Sequence, residues 1–277
     1  MTEVREVLES LLLRGYEGRP AESQHPKWLI PGIAGGALVL ILVAFLAFRA
    51  SRSAEEDEPP GPPPPGMVLV PKGRFVYGET SATVELPAFY IDKTEVSIGD
   101  YAKFAREKGL RVPTGDPNLP VANITIDEAH QYAQWAGKRL PTMREWEKAA
   151  RGEKGFLYPW GEQHDPKRAN FSDNPAMKER KLMPVDSMPE GASPFGVLHM
   201  AGNVREFVAE YGRPSLDQVR AFAELLSPSP TAEESWCVTR GGAFDEPMPR
   251  NVNRESKLVP ARYRAANIGF RCVRDAR

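Results

Sequence analysis

The sequence predicts an α+β domain with many loops, carried behind a single transmembrane helix. Three observations predict it. An uncharged run near the N-terminus is long enough to cross a bilayer. A Pro-rich, acidic tract follows it and cannot build a core. Beyond that tract, short apolar patterns of both helical and strand period alternate with Gly- and Pro-rich turns, over about 200 residues.

The chain has 277 residues and a formal net charge of −1. That balance gives no electrostatic case for nucleic acid. Four segments follow from the composition: a tail over 1–27, a span over 28–50, a linker over 51–66 and a folded domain over 67–277. In the tail, Val4, Val7, Leu8, Leu11 and Leu12 fall at helical spacing. They suit either a solvated tail helix or a docking helix for a cytoplasmic partner or the membrane surface.

Trp28 to Phe48 is a run of 21 uncharged residues, WLIPGIAGGALVLILVAFLAF. At about 1.5 Å per residue, a helix of that length crosses a hydrocarbon core of roughly 30 Å. Trp28 suits one interface, and Arg49 and Arg52 the other. A cleaved signal peptide is the rival reading, but its apolar core is usually shorter and a small-residue cleavage site should follow. Here 27 residues precede the run and Arg-Ala-Ser-Arg follows it, which favours an uncleaved single-pass anchor. Arg14, Arg19 and Lys27 lie on the N-terminal side, against Arg49 and Arg52 on the other. The basic count favours an inner N-terminus and an extracytoplasmic C-terminal domain. Ser51 to Gly66, SRSAEEDEPPGPPPPG, reads as an extended spacer off the bilayer.

The domain begins near Met67. MVLVPKGRFVYG reads as two short strands around Pro71-Lys72-Gly73. TVELPAFYID gives a further strand, and a helix starts near Ser97, with Ile98, Tyr101, Phe104 and Ala105 on its apolar face. Lys108-Gly109 stops it. A second helix begins at Asp127, buries Ala129, Tyr132, Ala133 and Trp135, and ends at Gly137. Thr142 caps a third helix, with Glu145 three residues on as its capping-box partner. Val238 to Cys272 reads as a strand with a Gly-Gly break, a long irregular segment and a closing strand.

Several strings in this domain carry a resemblance. They are GKRLPTMREWE, YPWG followed by Ala169-Asn170, GNVREF at Gly202, the RGG at Arg240 and the closing GFRC. Together they resemble the formylglycine-generating enzyme (sulfatase-modifying factor) family from about Met67 to Cys272. The resemblance implies a compact α+β fold related to the C-type lectin domain. It also implies that Arg139 and Glu145 serve packing rather than catalysis.

Catalytic members of that family oxidise a sulfatase cysteine with molecular oxygen and copper(I). Copper(I) is soft and is held by two thiolates, about six and about eleven residues after the Arg of RGG. Counted from Arg240, those places are Glu246 and Asn251, and no cysteine lies between Val238 and Arg271. The family's serine after RGG is Ala243 here, and the tryptophan of its GNVWEW motif is Arg205. These departures argue against copper and against formylglycine formation. Cys237 and Cys272 remain; they suit a disulfide, two separate buried thiols, or a metal or redox pair.

The resemblance also implies calcium, held by oxygens around Gly202, Asn203, Val204 and Glu206, and around Asn170 and Phe171, with Asp173 as a further acid. His199 stands where an oxygen ligand is expected. A hydrogen-bonded loop is the alternative use of Asn203 and Glu206. The four histidines lie in different segments, and no nucleophile-elbow string accompanies them. Arg250, Asn253, Arg254, Arg262 and Arg264 crowd the segment before the last strand. They suit a carboxylate, sulfate, phosphate or peptide at a C-terminal cleft, or a solvated, salt-bridged loop. The expected function is ligand or protein recognition, or a structural part of an envelope complex. An oxidoreductase with a rearranged site is the alternative.

Overall fold

A computed structural model describes residues 60–276. The expected span over 28–50, the tail and most of the linker lie outside the described residues. Among the described residues, no helix is long and apolar enough to cross a membrane.

The two ends of the domain meet in one sheet. Strand β1 (Met67–Val70) pairs antiparallel with β4 (Phe89–Asp92), and β4 pairs with β9 (Val273–Asp275). Between them β2 (Gly73–Tyr77) and β3 (Ala82–Leu86) form a hairpin. The single strand expected from TVELPAFYID is two strands. Pro87 separates them, because its missing N–H cannot extend a ladder.

Helix α1 (Ile98–Glu107) is capped by Ser97, whose side chain accepts from the Asp100 amide. Helix α2 (Ile126–Trp135) begins a residue earlier than expected. Thr125 takes the cap and makes a full capping box with Glu128. Helix α3 (Met143–Arg151) has the expected box between Thr142 and Glu145. Each such cap is worth about 1 kcal/mol. Arg139 grips Glu145 with two nitrogens at 2.6 and 2.8 Å and also reaches Asp275. That places both residues in packing, joining α3 to the last strand.

The second sheet has the order β7-β6-β5-β8. It comprises β5 (Arg205–Gly212), β6 (Trp236–Arg240), β7 (Ser256–Pro260) and β8 (Ile268–Gly269). Strand β6 runs antiparallel to both neighbours, whereas β8 is parallel to β5. Strand β7 corrects the expectation of an irregular segment all the way from Gly242 to the closing strand. Cys272 also lies between β8 and β9 rather than on a last strand. Helix α4 (Leu216–Ala223), between β5 and β6, was not anticipated, although Leu216, Val219 and Phe222 fall at helical spacing and Ser215 forms a capping box with Gln218; none of its residues is fully buried.

Two apolar clusters hold the layers together. Phe104, Tyr132, Phe207 and Phe270 join α1 and α2 to the second sheet. Trp146, Ile91, Val208 and Val273 join α3 to both sheets. Fully burying one such side chain stabilises the fold by roughly 1.5–3 kcal/mol. Trp135, expected inside, is only half-buried at the edge of the first cluster.

Candidate functional site

The family-type strings converge where β5 begins and β6 ends. Strand β6 stops at Gly241 and Gly242, which have φ of +90° and +73°. A Cβ on Gly242 would lie 2.6 Å from the Phe171 ring, so only glycine fits the turn and the close packing. The chain then crosses the end of the sheet as far as β7. Arg205 and Glu206 sit side by side on β5, and successive side chains of a strand leave opposite faces.

Glu206 points into the core and is fully buried. It accepts from Arg271 Nε and Nη2, both at 2.7 Å, and from the Trp146 indole at 2.7 Å. Arg271 also donates to the carbonyls of Asp92 and Leu198. Burial opposes the Arg271 charge, but the Glu206 carboxylate outweighs it and raises the guanidinium's pKa. This pair links β5 to the segment between β8 and β9.

Arg205 ends in a different knot. Its Nε and Nη2 contact Glu246 at 2.5 to 3.1 Å, and Nη2 reaches Glu255 at 2.8 Å. Lys257 adds a bond to Glu246 at 2.9 Å. Burial pushes the Glu246 carboxyl up, but Arg205 and Lys257 together hold it below its ordinary value. Arg205 is the residue that the resemblance sets at the family tryptophan, and Glu246 the one that counting from Arg240 sets at its first cysteine. The two departures meet in one ion pair. Asn251, at the second counted place, is a turn residue whose carbonyl accepts from the amides of Arg254 and Glu255. Ala243 is fully buried.

The residues expected to hold calcium do not fit that ion as arranged. Calcium takes about six to eight oxygens. Both Glu206 oxygens are held by Arg271 and Trp146. Asn203 Oδ1 accepts from Asn170 Nδ2 and the Met183 amide, and Nδ2 donates to Glu95 and the Met183 carbonyl. Gly202 packs so close to Asn170 that a Cβ would lie 2.5 Å from its carbonyl oxygen. Val204 and Phe171 are core residues. Asp173 instead accepts from the Met248 amide. Among the described residues, no group of three or more His, Cys, Asp or Glu could hold a metal.

His199 is buried, with Nε2 3.2 Å from both Ser187 Oγ and the Pro184 carbonyl. Burial pulls its pKa down to about 4, so the ring is neutral at physiological pH.

Both cysteines are free and buried, which corrects the disulfide expectation for Cys237 and Cys272. Cys237 Sγ lies 3.4 Å from the Val259 carbonyl. Burial pushes the Cys237 thiol up to about 12 and raises Cys272 as well. Neither thiol is activated as a thiolate by its surroundings.

The expected arginine cluster divides. Arg262 pairs with Glu234 and donates to the Pro228 carbonyl. Arg264 pairs with Glu128 and donates to the Asn123 carbonyl. Both are therefore committed to fixing loops and leave the group expected at the cleft. Arg250 is exposed, while Asn253 is fully buried beside the half-buried Arg254.

Asn253 belongs to a network that the motif reading missed. Glu147 accepts from Arg151 at 2.6 Å, Arg240 at 2.7 Å and the Gly78 amide at 2.7 Å. Arg240 lies over the Trp146 ring and donates to the Asn253 carbonyl at 2.7 Å. The one available signal was the i,i+4 spacing of Glu147 and Arg151. Glu95, Glu255 and the partner of Arg271 gave no such signal, because their contacts are long-range.

A model of the sulfatase-modifying factor enzyme 1-like domain matches residues 52–276. The formylglycine-generating enzyme of Streptomyces coelicolor is 34% identical over 192 residues, covering 63% of this chain and 59% of that protein. A mouse protein named inactive Cα-formylglycine-generating enzyme 2 is 32% identical over 166 residues, covering 57% and 50%. The chain spans about half the length of the curated relatives it matches. The solved structure of PvdO from Pseudomonas aeruginosa superposes with a TM-score of 0.58 at 22% identity, covering 76% of this chain and 94% of that one. The chain belongs to the sulfatase-modifying factor enzyme 1-like family.

Proposed function

We propose that this member of the family is a membrane-anchored, non-catalytic domain that recognises a ligand or protein, or serves as a structural subunit of an envelope complex. One observation carries the non-catalytic reading. Arg205 and Glu246 replace the family tryptophan and the first counted cysteine, and they pair with each other. A salt-bridged knot in that place offers no thiolate and no soft metal ligand. The two cysteines of the chain are buried and protonated, which supports the same reading. That some relatives are themselves named inactive is in keeping with it. The anchor rests on the uncharged run from Trp28 to Phe48, and the extracytoplasmic placement on the basic residues that flank it.

The test is catalytic. The full chain, reduced and supplied with copper(I) and oxygen, is incubated with a cysteine peptide of sulfatase type. Loss of peptide thiol should equal that of the copper-only control. Faster, protein-dependent conversion to an aldehyde would sink the reading and restore the oxidase.

A further inference from the structure

The last residues of the linker are seated on the domain. Tyr90 donates its hydroxyl to the Gly61 carbonyl at 2.6 Å. The Met67 amide donates to the Pro64 carbonyl, and the Lys93 amide to the Gly66 carbonyl. Gly61, Pro62 and Pro64 thereby form one wall of a cleft of about 570 Å³ at the edge of the first sheet. That size suits a ligand pocket. Another wall is the turn from Gly137 to Arg139, tied to β9 by two backbone bonds between Arg139 and Val273 at 2.8 and 2.9 Å. None of the residues of the Arg205 knot lines this cleft.

Lys138, Arg139 and Arg274 line the cleft against a single acid, Asp275. Arg139 is committed to Glu145 and Asp275. The other two cations have donors to spare. Tyr90 and Arg274 pair across β4 and β9, so their side chains leave the same face of the sheet, and Asp92, two residues on, shares it. Lys138 spends one ammonium donor on Asp92, at 2.6 Å, and has others to offer. Arg274 is exposed, and among the described residues it forms no ion pair. Pro62 and Pro64 have no N–H, so they can offer the cleft only acceptors. A ligand that fits needs carboxylates for Arg274 and Lys138 together with N–H donors for the proline wall. An extended acidic peptide supplies both, and its carboxylates take charge-assisted bonds from the two cations.

We propose that this cleft binds an acidic peptide segment of a partner protein, with Arg274 and Lys138 as the carboxylate contacts and the segment 61–64 alongside. Arg274 is the main contact, since it is exposed and uncommitted. The end of the linker is then part of a recognition surface as well as a spacer. This deepens the recognition reading and rests on it only for the use made of the site. Protein-dependent oxidation of a sulfatase-type peptide would overturn the non-catalytic reading and leave this site standing; absence of acidic-peptide binding would do the reverse.

The experiment uses the full chain in detergent at fixed ionic strength. A tetraglutamate peptide is titrated by calorimetry, with citrate and tetraglycine in parallel. Citrate carries carboxylates without N–H donors, and tetraglycine carries N–H donors without side-chain carboxylates. Wild-type protein should bind tetraglutamate saturably, about tenfold or more tightly than either control. Arg274→Glu sets a like charge against the peptide and should weaken binding by about tenfold or more, while melting as wild type does without ligand. Arg220→Glu, an equal charge change on exposed α4, should bind as wild type does. No saturable binding of tetraglutamate, citrate bound as tightly as the peptide, or an undiminished affinity in Arg274→Glu would each overturn the proposal.

Discussion

On β5 the side chains of Arg205 and Glu206 leave opposite faces of the same strand, and each ends in ion pairs. Glu206 meets Arg271 with neither side chain exposed, and Trp146 completes its hydrogen bonding. Arg205 is nearly as buried, but its partners Glu246 and Glu255 keep about a fifth to a quarter of their side-chain surface in solvent. Glu206 belongs to the GNVREF string and Arg271 to GFRC, two of the strings that carry the family resemblance. Arg205 and Glu246 are the residues at which the resemblance implies a departure. What the chain shares with its family at this point is therefore a structural tie between distant segments. What it has changed faces the segment where chemistry would sit.

The largest loss of stability is expected from Arg271→Met. It leaves Glu206 buried without its main partner, and removing one member of a buried pair costs about 3–5 kcal/mol. Urea unfolding should show that loss. A loss under 1 kcal/mol, about what a surface pair is worth, would show that Glu206 is not held as described.

The pH dependence sharpens the same face. Burial raises the Glu95 carboxyl to about 8 from its ordinary 4.5, although Arg271 and the Asn203 amide oppose the shift. A raised carboxyl binds its proton in the folded state while the unfolded chain releases it. Its contribution to stability is complete below about pH 4.5 and is lost as pH rises through about 8. The slope from this one proton is at most about 1.4 kcal/mol per pH unit. Glu95→Gln should flatten the profile over that window; a profile of unchanged slope would contradict the assignment.

Arg205→Met should cost less than Arg271→Met, about 1–3 kcal/mol, because its carboxylate partners reach solvent and Glu246 keeps Lys257. Equal losses from the two substitutions would erase the contrast and make the Arg205 knot part of the core frame. The smallest effect is expected from chelation. With Glu206 and the Asn203 amide already committed, EDTA should leave the melting curve unmoved, and calcium-dependent stabilisation would show a site that this arrangement does not explain.

Local signals were legible in the sequence, and long-range ones were not. Ser97 and Thr142 announced their caps because capping is a matter of three or four neighbouring residues. The Gly241-Gly242 break was legible for the same reason. Strand β7 was hidden because Ser256 to Pro260 lies among arginines and is exposed over its first half. The arginines show the limit most clearly. Arg250 to Arg264 looked like one cluster in the sequence, yet Arg262 and Arg264 are drawn off by Glu234 and Glu128. Arg205 read as a missing tryptophan, and Glu246 as a missing cysteine. Only the fold joins them across 41 residues of chain.

We propose that no copper-thiolate centre forms on this chain. The most direct test is metal content and thiol count on the same purified full-length sample, after loading with copper(I) and dialysis. No stoichiometric copper should remain, and the two thiols should react only once the chain is unfolded. One tightly held copper per chain, lost together with Cys237→Ser or Cys272→Ser in a variant that still folds, would contradict it.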